Sequence, residues 1–221
     1  MGVASVACTR TAECAATQTA TRAGLNPFLL RSRVAMYLIA VDVGIKNLGF
    51  IVYCLKSRKV VCWERLTVSG DDKYMPQNNV AYMHALVAHY SVYFESAVKV
   101  VVEKQMRANM RIIEAILHTM FYSICDIVNA KFIKAHFNLS MPSYRQNKKA
   151  AVEFVSNFLK EPQTQVWNAE ECLGKFTQST KKDDLADAML LLLYYLDTFT
   201  FCAQVPAEAG RAAGACPAAG C

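Results

Sequence analysis

The sequence predicts a mixed α/β fold: a five-stranded sheet with helices packed on both of its faces. Three observations predict it. Strand-like segments follow one another between residues 37 and 68. Farther on, apolar runs of strand length alternate with stretches of helical spacing. Finally, 221 residues of 54% apolar composition can bury one sizeable core.

The ends are not expected to join that core. Residues 1–35 are rich in Ala, Thr and Arg with Glu13 their only acid, and residues 203–221 are mostly Ala, Gly, Pro and Cys. Neither shows sustained apolar periodicity, so both are expected to be disordered around a domain spanning residues 36–202. The Arg-rich, acid-poor start permits a mitochondrial transit peptide. An equally economical reading starts the working chain at Met36.

Within the domain, residues 37–43 form an apolar run that suits a strand buried on both faces, ending at Asp42 and Gly44. Residues 47–55 and 59–68 are rich in Val, Ile, Phe, Tyr and Trp, and the Ser-Arg-Lys between them suits a hairpin turn. A polar loop follows, punctuated by Gly70 and Pro76. From residue 80 to 93, Val80, Met83, Val87, Tyr90 and Phe94 recur at helical spacing. The run Val98, Val100, Val101, Val102 then forms a second buried strand that delivers Glu103. Residues 112–128 read as a long apolar helix, 131–137 as a strand and 138–149 as a polar, basic loop. Residues 150–159 read as a helix, 160–180 as irregular, and 181–199 as a last helix opened by Asp183 and Asp184, which suit a positive helix N-terminus.

Charge and cysteine content narrow the setting. The net charge is +6, but +3 of it lies in residues 1–35 and none in 203–221, leaving a mild +3 on the domain. Nucleic-acid binding must therefore be argued from where charges sit rather than from their total. Nine cysteines, an odd number without a CxxC pair, fit free thiols in a reducing intracellular compartment better than a disulfide framework or structural zinc. No uncharged apolar run reaches about 18 residues, so no transmembrane helix and no membrane partner are expected.

The chemistry resides in four acids. Asp184 and Asp187 are three apart on a helix, which puts their side chains on one face within about 5–6 Å. Asp42 and Glu103, each ending a buried apolar strand, reach the same place if those strands are neighbours. Carboxylates so close repel one another, and a cation between them keeps them ionised. An all-oxygen site of this kind suits Mg²⁺ or Mn²⁺ rather than zinc. Such a site favours two-metal phosphodiester hydrolysis, with one cation activating the attacking water and the other stabilising the leaving 3′ oxygen. A neighbouring lysine, Lys148 or Lys149, can offset charge on the phosphate. Gly44 and Gly49 lack side chains that would obstruct a phosphate backbone.

Four segments, AVDVGIKNLGF, VVVEKQMRANMR, SYRQNKKAAVEFV and KKDDLADAMLLLLYYL, resemble in order and spacing the RuvC-like Holliday junction resolvases, over Tyr37 to Leu196. The nearest type is that of poxviruses and other large DNA viruses. The resemblance implies an RNase H-like fold, a homodimer, and Mg²⁺-dependent paired nicking of four-way DNA junctions in recombination or repair, with two ions per site and Mn²⁺ able to substitute. It matches Asp42, Glu103, Asp184 and Asp187 to the family's metal-binding acids. The catalytic lysine falls in Asn-Lys-Lys-Ala-Ala-Val, where Lys149, three residues before Val152, is preferred and Lys148 is the alternative. A viral source would place the chain in host cytoplasm or nucleus.

Lys46, Arg107, Arg111, Tyr144, Arg145, Lys148, Lys181 and Lys182 lie beside an acid or in the basic loop, as phosphate-positioning residues would, with Tyr144 able to stack on a base. The implied dimer needs a face, and the stripe Met110, Ile113, Ile116, Leu117, Met120 and Phe121 is the candidate. Three other classes compete. An RNase H-like nuclease acting on RNA–DNA hybrid or structured RNA would place its second acid on the first helix. An actin-like ATPase would need a second phosphate-binding motif and a second lobe. A non-catalytic nucleic-acid-binding relative would be free to lose its acids.

Overall fold

A computed structural model of the protein describes residues 36–70, 72–162 and 165–199. The expectations for residues 1–35 and 203–221, including the transit peptide, lie outside these. Five strands make one sheet: β1 (Tyr37–Asp42), β2 (Leu48–Cys54), β3 (Lys59–Leu66), β4 (Ala97–Glu103) and β5 (Cys125–Val128), in the spatial order β3-β2-β1-β4-β5. The first three form an antiparallel meander, while β4 runs parallel to β1 and β5 parallel to β4. The helices are α1 (Asn79–His89), α2 (Ser91–Phe94), α3 (Ala108–Met120), α4 (Ala130–His136), α5 (Tyr144–Phe158), α6 (Ala169–Gln178) and α7 (Lys182–Thr198).

Helices cover both faces, which is why the central strands are apolar without interruption. Alternation along the strands divides the core in two. Leu38, Ala40, Ile51 and Val101 pack beneath α5, α6 and α7. Ile39, Val41, Phe50, Val100 and Val102 face Met83, Tyr90 and Phe94 of α1, its flank and α2, together with Ile113 and Leu117 of α3. Cys54, Cys62, Cys125 and Cys172 are buried and in no disulfide, and burial pushes the Cys125 thiol up to about 11 and that of Cys172 up to about 12. They serve as packing groups. Among the described residues, no helix is long and apolar enough to cross a membrane.

Helix α7 is the element that carries the site, and both of its ends are fixed. The indole N–H of Trp63 donates to the carbonyl of Leu185 at 3.1 Å near the start. Near the end, Tyr195 donates to Asp126 on β5 at 2.7 Å. Between them Ala186, Ala188, Met189, Leu191 and Leu192 are fully buried against the sheet.

Several sequence expectations are corrected. The apolar run 112–128 is not one helix: α3 ends at Met120 and the chain turns into β5, an edge strand that pairs in parallel with β4. Residues 131–137 form helix α4 rather than a strand, begun by Asn129, whose side chain accepts from the N–H of Lys131 at 2.9 Å. The basic loop is shorter than expected, because a Ser143–Gln146 capping box starts α5 at Tyr144. Residues 160–180 contain α6, which buries Cys172 and Phe176. The helix over 80–93 breaks at Tyr90 into α1 and α2, and Val80 is 55% exposed rather than packed. Of the candidate dimer stripe, Ile113 and Leu117 are fully buried in their own chain and unavailable to a partner, while Met110, Ile116, Met120 and Phe121 are half-buried.

Candidate active site

Strand alternation aims the first two acids. Asp42 follows Leu38 and Ala40 on the face covered by α7, and Glu103 follows Val101 on the same face. Val41 pairs with Val102 in the parallel ladder, so Asp42 and Glu103 lie one step farther along adjacent strands. The first two turns of α7 bring Asp184 and Asp187 over this point. All four acids line one open cleft of about 900 Å³.

Gly49 sets how closely α7 approaches. It pairs with Asp42 across β1 and β2, and a Cβ on it would lie 2.6 Å from the backbone oxygen of Asp184. Its missing side chain thus makes room for the helix and not for a phosphate, contrary to the sequence expectation. Gly44 does line the cleft, in a turn where a Cβ would lie 2.3 Å from the carbonyl oxygen of Asn47.

The electrostatics of the acids reflect burial and crowding. Burial pushes Asp42 up to about 7, reinforced by the charge of Asp187 and opposed by Lys148. Glu103 is raised well above the ordinary carboxylate range by burial and then by Asp42. Burial also raises Asp187 and Asp184, the first opposed by Lys148 and the second reinforced by Asp183. Burial would lower Lys148, but Asp187 dominates in sum and holds its ammonium protonated.

Lys148 donates to Asp187 Oδ2 and stands 3.8 Å from Asp183. Its neighbour Lys149 is exposed and lines only the shallow depression beside the cleft, which Lys148 also borders along with Asp183, Lys182, Ser179 and Thr180. This geometry favours Lys148, the alternative, over Lys149. Both lysines are on α5, but only Lys148 is turned toward the acids.

Of the expected DNA contacts, Lys46, Arg107, Tyr144 and Lys148 line the cleft, with Tyr144 75% exposed. Arg111, Arg145 and Lys181 are exposed outside it, and Lys182 borders the depression beside it. Two residues of the cleft escaped the sequence reading. Gln105 is buried, donates to the carbonyl of Glu103 at 3.1 Å and lies close enough to the carboxylate of Asp42 to favour its ionised form. Its signal was a polar residue two positions beyond the strand-end acid. Lys134 lines the cleft from α4 and was hidden by the misread strand.

The donor set fits a hard divalent cation. It is all oxygen and mutually repulsive, Asp184 Oδ2 is buried without a hydrogen-bond partner, and an ammonium already neutralises Asp187. As placed, no group of three or more His, Cys, Asp or Glu side chains among the described residues is positioned to hold a metal ion. The carboxylates share a cleft without forming a common ligand shell.

Comparison with known proteins agrees with this architecture. The profile of the family described as Poxvirus A22 protein matches residues 36–198. The Fowlpox virus resolvase, solved with substrate Holliday junction DNA, is 22% identical with a TM-score of 0.52, over 74% of this chain and 99% of its own. The RuvC of Thermus thermophilus is 14% identical with a TM-score of 0.48, over 75% of this chain and 98% of its own. No curated protein sequence matches the chain. The fold is the RNase H-like one expected, with an open mixed sheet.

Proposed function

Because the chain belongs to the poxvirus A22 protein family, we propose that it is a DNA endonuclease that resolves four-way junctions by metal-dependent phosphodiester hydrolysis. The observation that carries this reading is the gathering of Asp42, Glu103, Asp184 and Asp187 in one cleft with Lys148 against them. The Fowlpox virus protein of the same fold is a resolvase that binds Holliday junction DNA, and the same substrate is proposed here.

The four carboxylates would hold Mg²⁺, with Mn²⁺ as a substitute, and such ions supply an activated water and stabilisation of the leaving 3′ oxygen. The chain's own groups do the rest. Gln105, beside Asp42, favours its ionised form against the burial that raises it. Lys148, once freed from Asp187, is placed to offset charge on the phosphate. Lys46 and Arg107, on the cleft rim, position the backbone, and Tyr144 offers an exposed ring for stacking. A junction has two equivalent strands to cut, so the reading includes a homodimer. On α3, Ile112 is exposed and Ile116 and Met120 are only half-buried, leaving an apolar outer face for it.

Cleavage of a labelled four-way junction, a linear duplex and an RNA–DNA hybrid should be compared in Mg²⁺ and in EDTA. The reading predicts cutting of the junction alone, and only with metal. Preference for the hybrid would replace it with an RNase H-type activity.

A further inference from the structure

We infer that Lys134 contacts the phosphate backbone of bound DNA on the Glu103 side of the cleft, a role that rests on the endonuclease reading above. Nothing in the sequence pattern of strand-end acids points to it; the placement of α4 does. The helix follows β5 directly, is started by the Asn129 cap and is pinned to the core by Ile133, which is 3% exposed. The N–H of Leu139 closes back onto the carbonyl of Lys134 at 2.8 Å, so the residue sits on a fixed turn. Its half-buried side chain lines the cleft that holds the four acids.

Lys134 and Lys148, both lining the cleft, differ in how they are engaged. Lys148 is held by Asp187 and lies near Asp183. Lys134 has no carboxylate within 4.0 Å among the described residues, so its ammonium is unpaired. Glu103 pairs with Val128 at the end of β5, from which α4 starts after Asn129, and this sets Lys134 on the Glu103 side. An unpaired ammonium facing a recessed cleft suits an anion that enters from solvent. A phosphate oxygen can take its N–H donors, and Lys binds phosphate as a point charge without demanding a planar partner.

The test uses the full chain and a fluorescent four-way junction. Affinity is measured in EDTA from about 50 to about 200 mM salt, and cleavage separately in Mg²⁺. Lys134→Ala should bind about tenfold more weakly at low salt, with a log–log salt slope shallower by about one unit. Lys134→Arg should restore the slope, and Lys131→Ala, on the exposed side of the same helix, should leave it unchanged. Lys134→Gln, with thermal melting matched to wild type, separates charge loss from misfolding. A wild-type slope in Lys134→Ala and Lys134→Gln, in a chain that cuts junctions normally, would overturn the role of Lys134 alone. A wild-type chain that neither binds nor cuts the junction would overturn the endonuclease reading, and this role with it.

Discussion

A Cβ added to Gly49 would lie 2.6 Å from the backbone oxygen of Asp184 and 3.0 Å from the Cβ of Ala188. The neighbour that must yield is helix backbone, so the strain cannot be relieved by turning a side chain. Gly49→Ala should therefore push α7 off the sheet, costing about 1–3 kcal/mol in overpacking. Because the same shift moves Asp184 and Asp187 away from Asp42, activity should fall more than stability does. Urea denaturation and junction cleavage on one preparation check both effects.

The contrast between Lys148 and Lys149 gives a second prediction. Lys148→Ala removes the ammonium held at Asp187 and should lower the cleavage rate by about 10²–10³-fold with modest loss of junction affinity. Lys149→Ala removes an exposed charge and should change the rate by less than about tenfold. Single-turnover rates with saturating enzyme separate chemistry from binding.

Stability should depend on pH in an unusual direction. Asp42 is raised from 3.8 to about 7, so between those values the folded state binds more protons than the unfolded state. A group of this kind stabilises the fold at low pH and loses that contribution as pH rises toward 7. Glu103, Asp184 and Asp187 are shifted the same way, whereas Asp126 and Glu171 are lowered and act in the opposite sense at acid pH. The melting temperature of Asp42→Asn minus that of wild type, measured in EDTA, should therefore grow from pH 5 to pH 8. Adding Mg²⁺ at pH 8 should raise the wild type and largely spare the variant.

Gln105 supplies a fourth test. Its amide favours ionised Asp42, so Gln105→Leu should raise the Asp42 pKa further. The acidic limb of the pH–rate profile should then move toward higher pH, with little change in junction affinity. A vertical drop without displacement of that limb would mean that Gln105 only packs.

How far the sequence led is clearest from particular residues. Asp42 and Glu103 were legible because each ends an uninterrupted apolar run, and buried strands deliver their last side chain to a predictable edge. Asp184 and Asp187 were legible from helical spacing ahead of a long apolar helix. The choice between Lys148 and Lys149 was not, since adjacent helical residues point about 100° apart and only the packing of α5 on α7 decides which one faces the acids. Strand β5 was lost because residues 121–124 turn without Gly or Pro, so the apolar run seemed to continue. Helix α4 was misread because residues 131–137 are apolar enough for a strand, although only Ile133 is fully covered and Phe132 is 57% exposed. Gly49 was noticed, but its purpose depends on α7, a partner more than 130 residues away in sequence.

The proposed function assigns Asp42 to the metal-dependent machinery that cuts a four-way junction. Nicking of a synthetic junction in Mg²⁺ by wild type and by Asp42→Asn tests it most directly, with junction binding measured in parallel. The wild type should give paired nicks and the variant none, at similar junction affinity. Unchanged nicking by Asp42→Asn would contradict it.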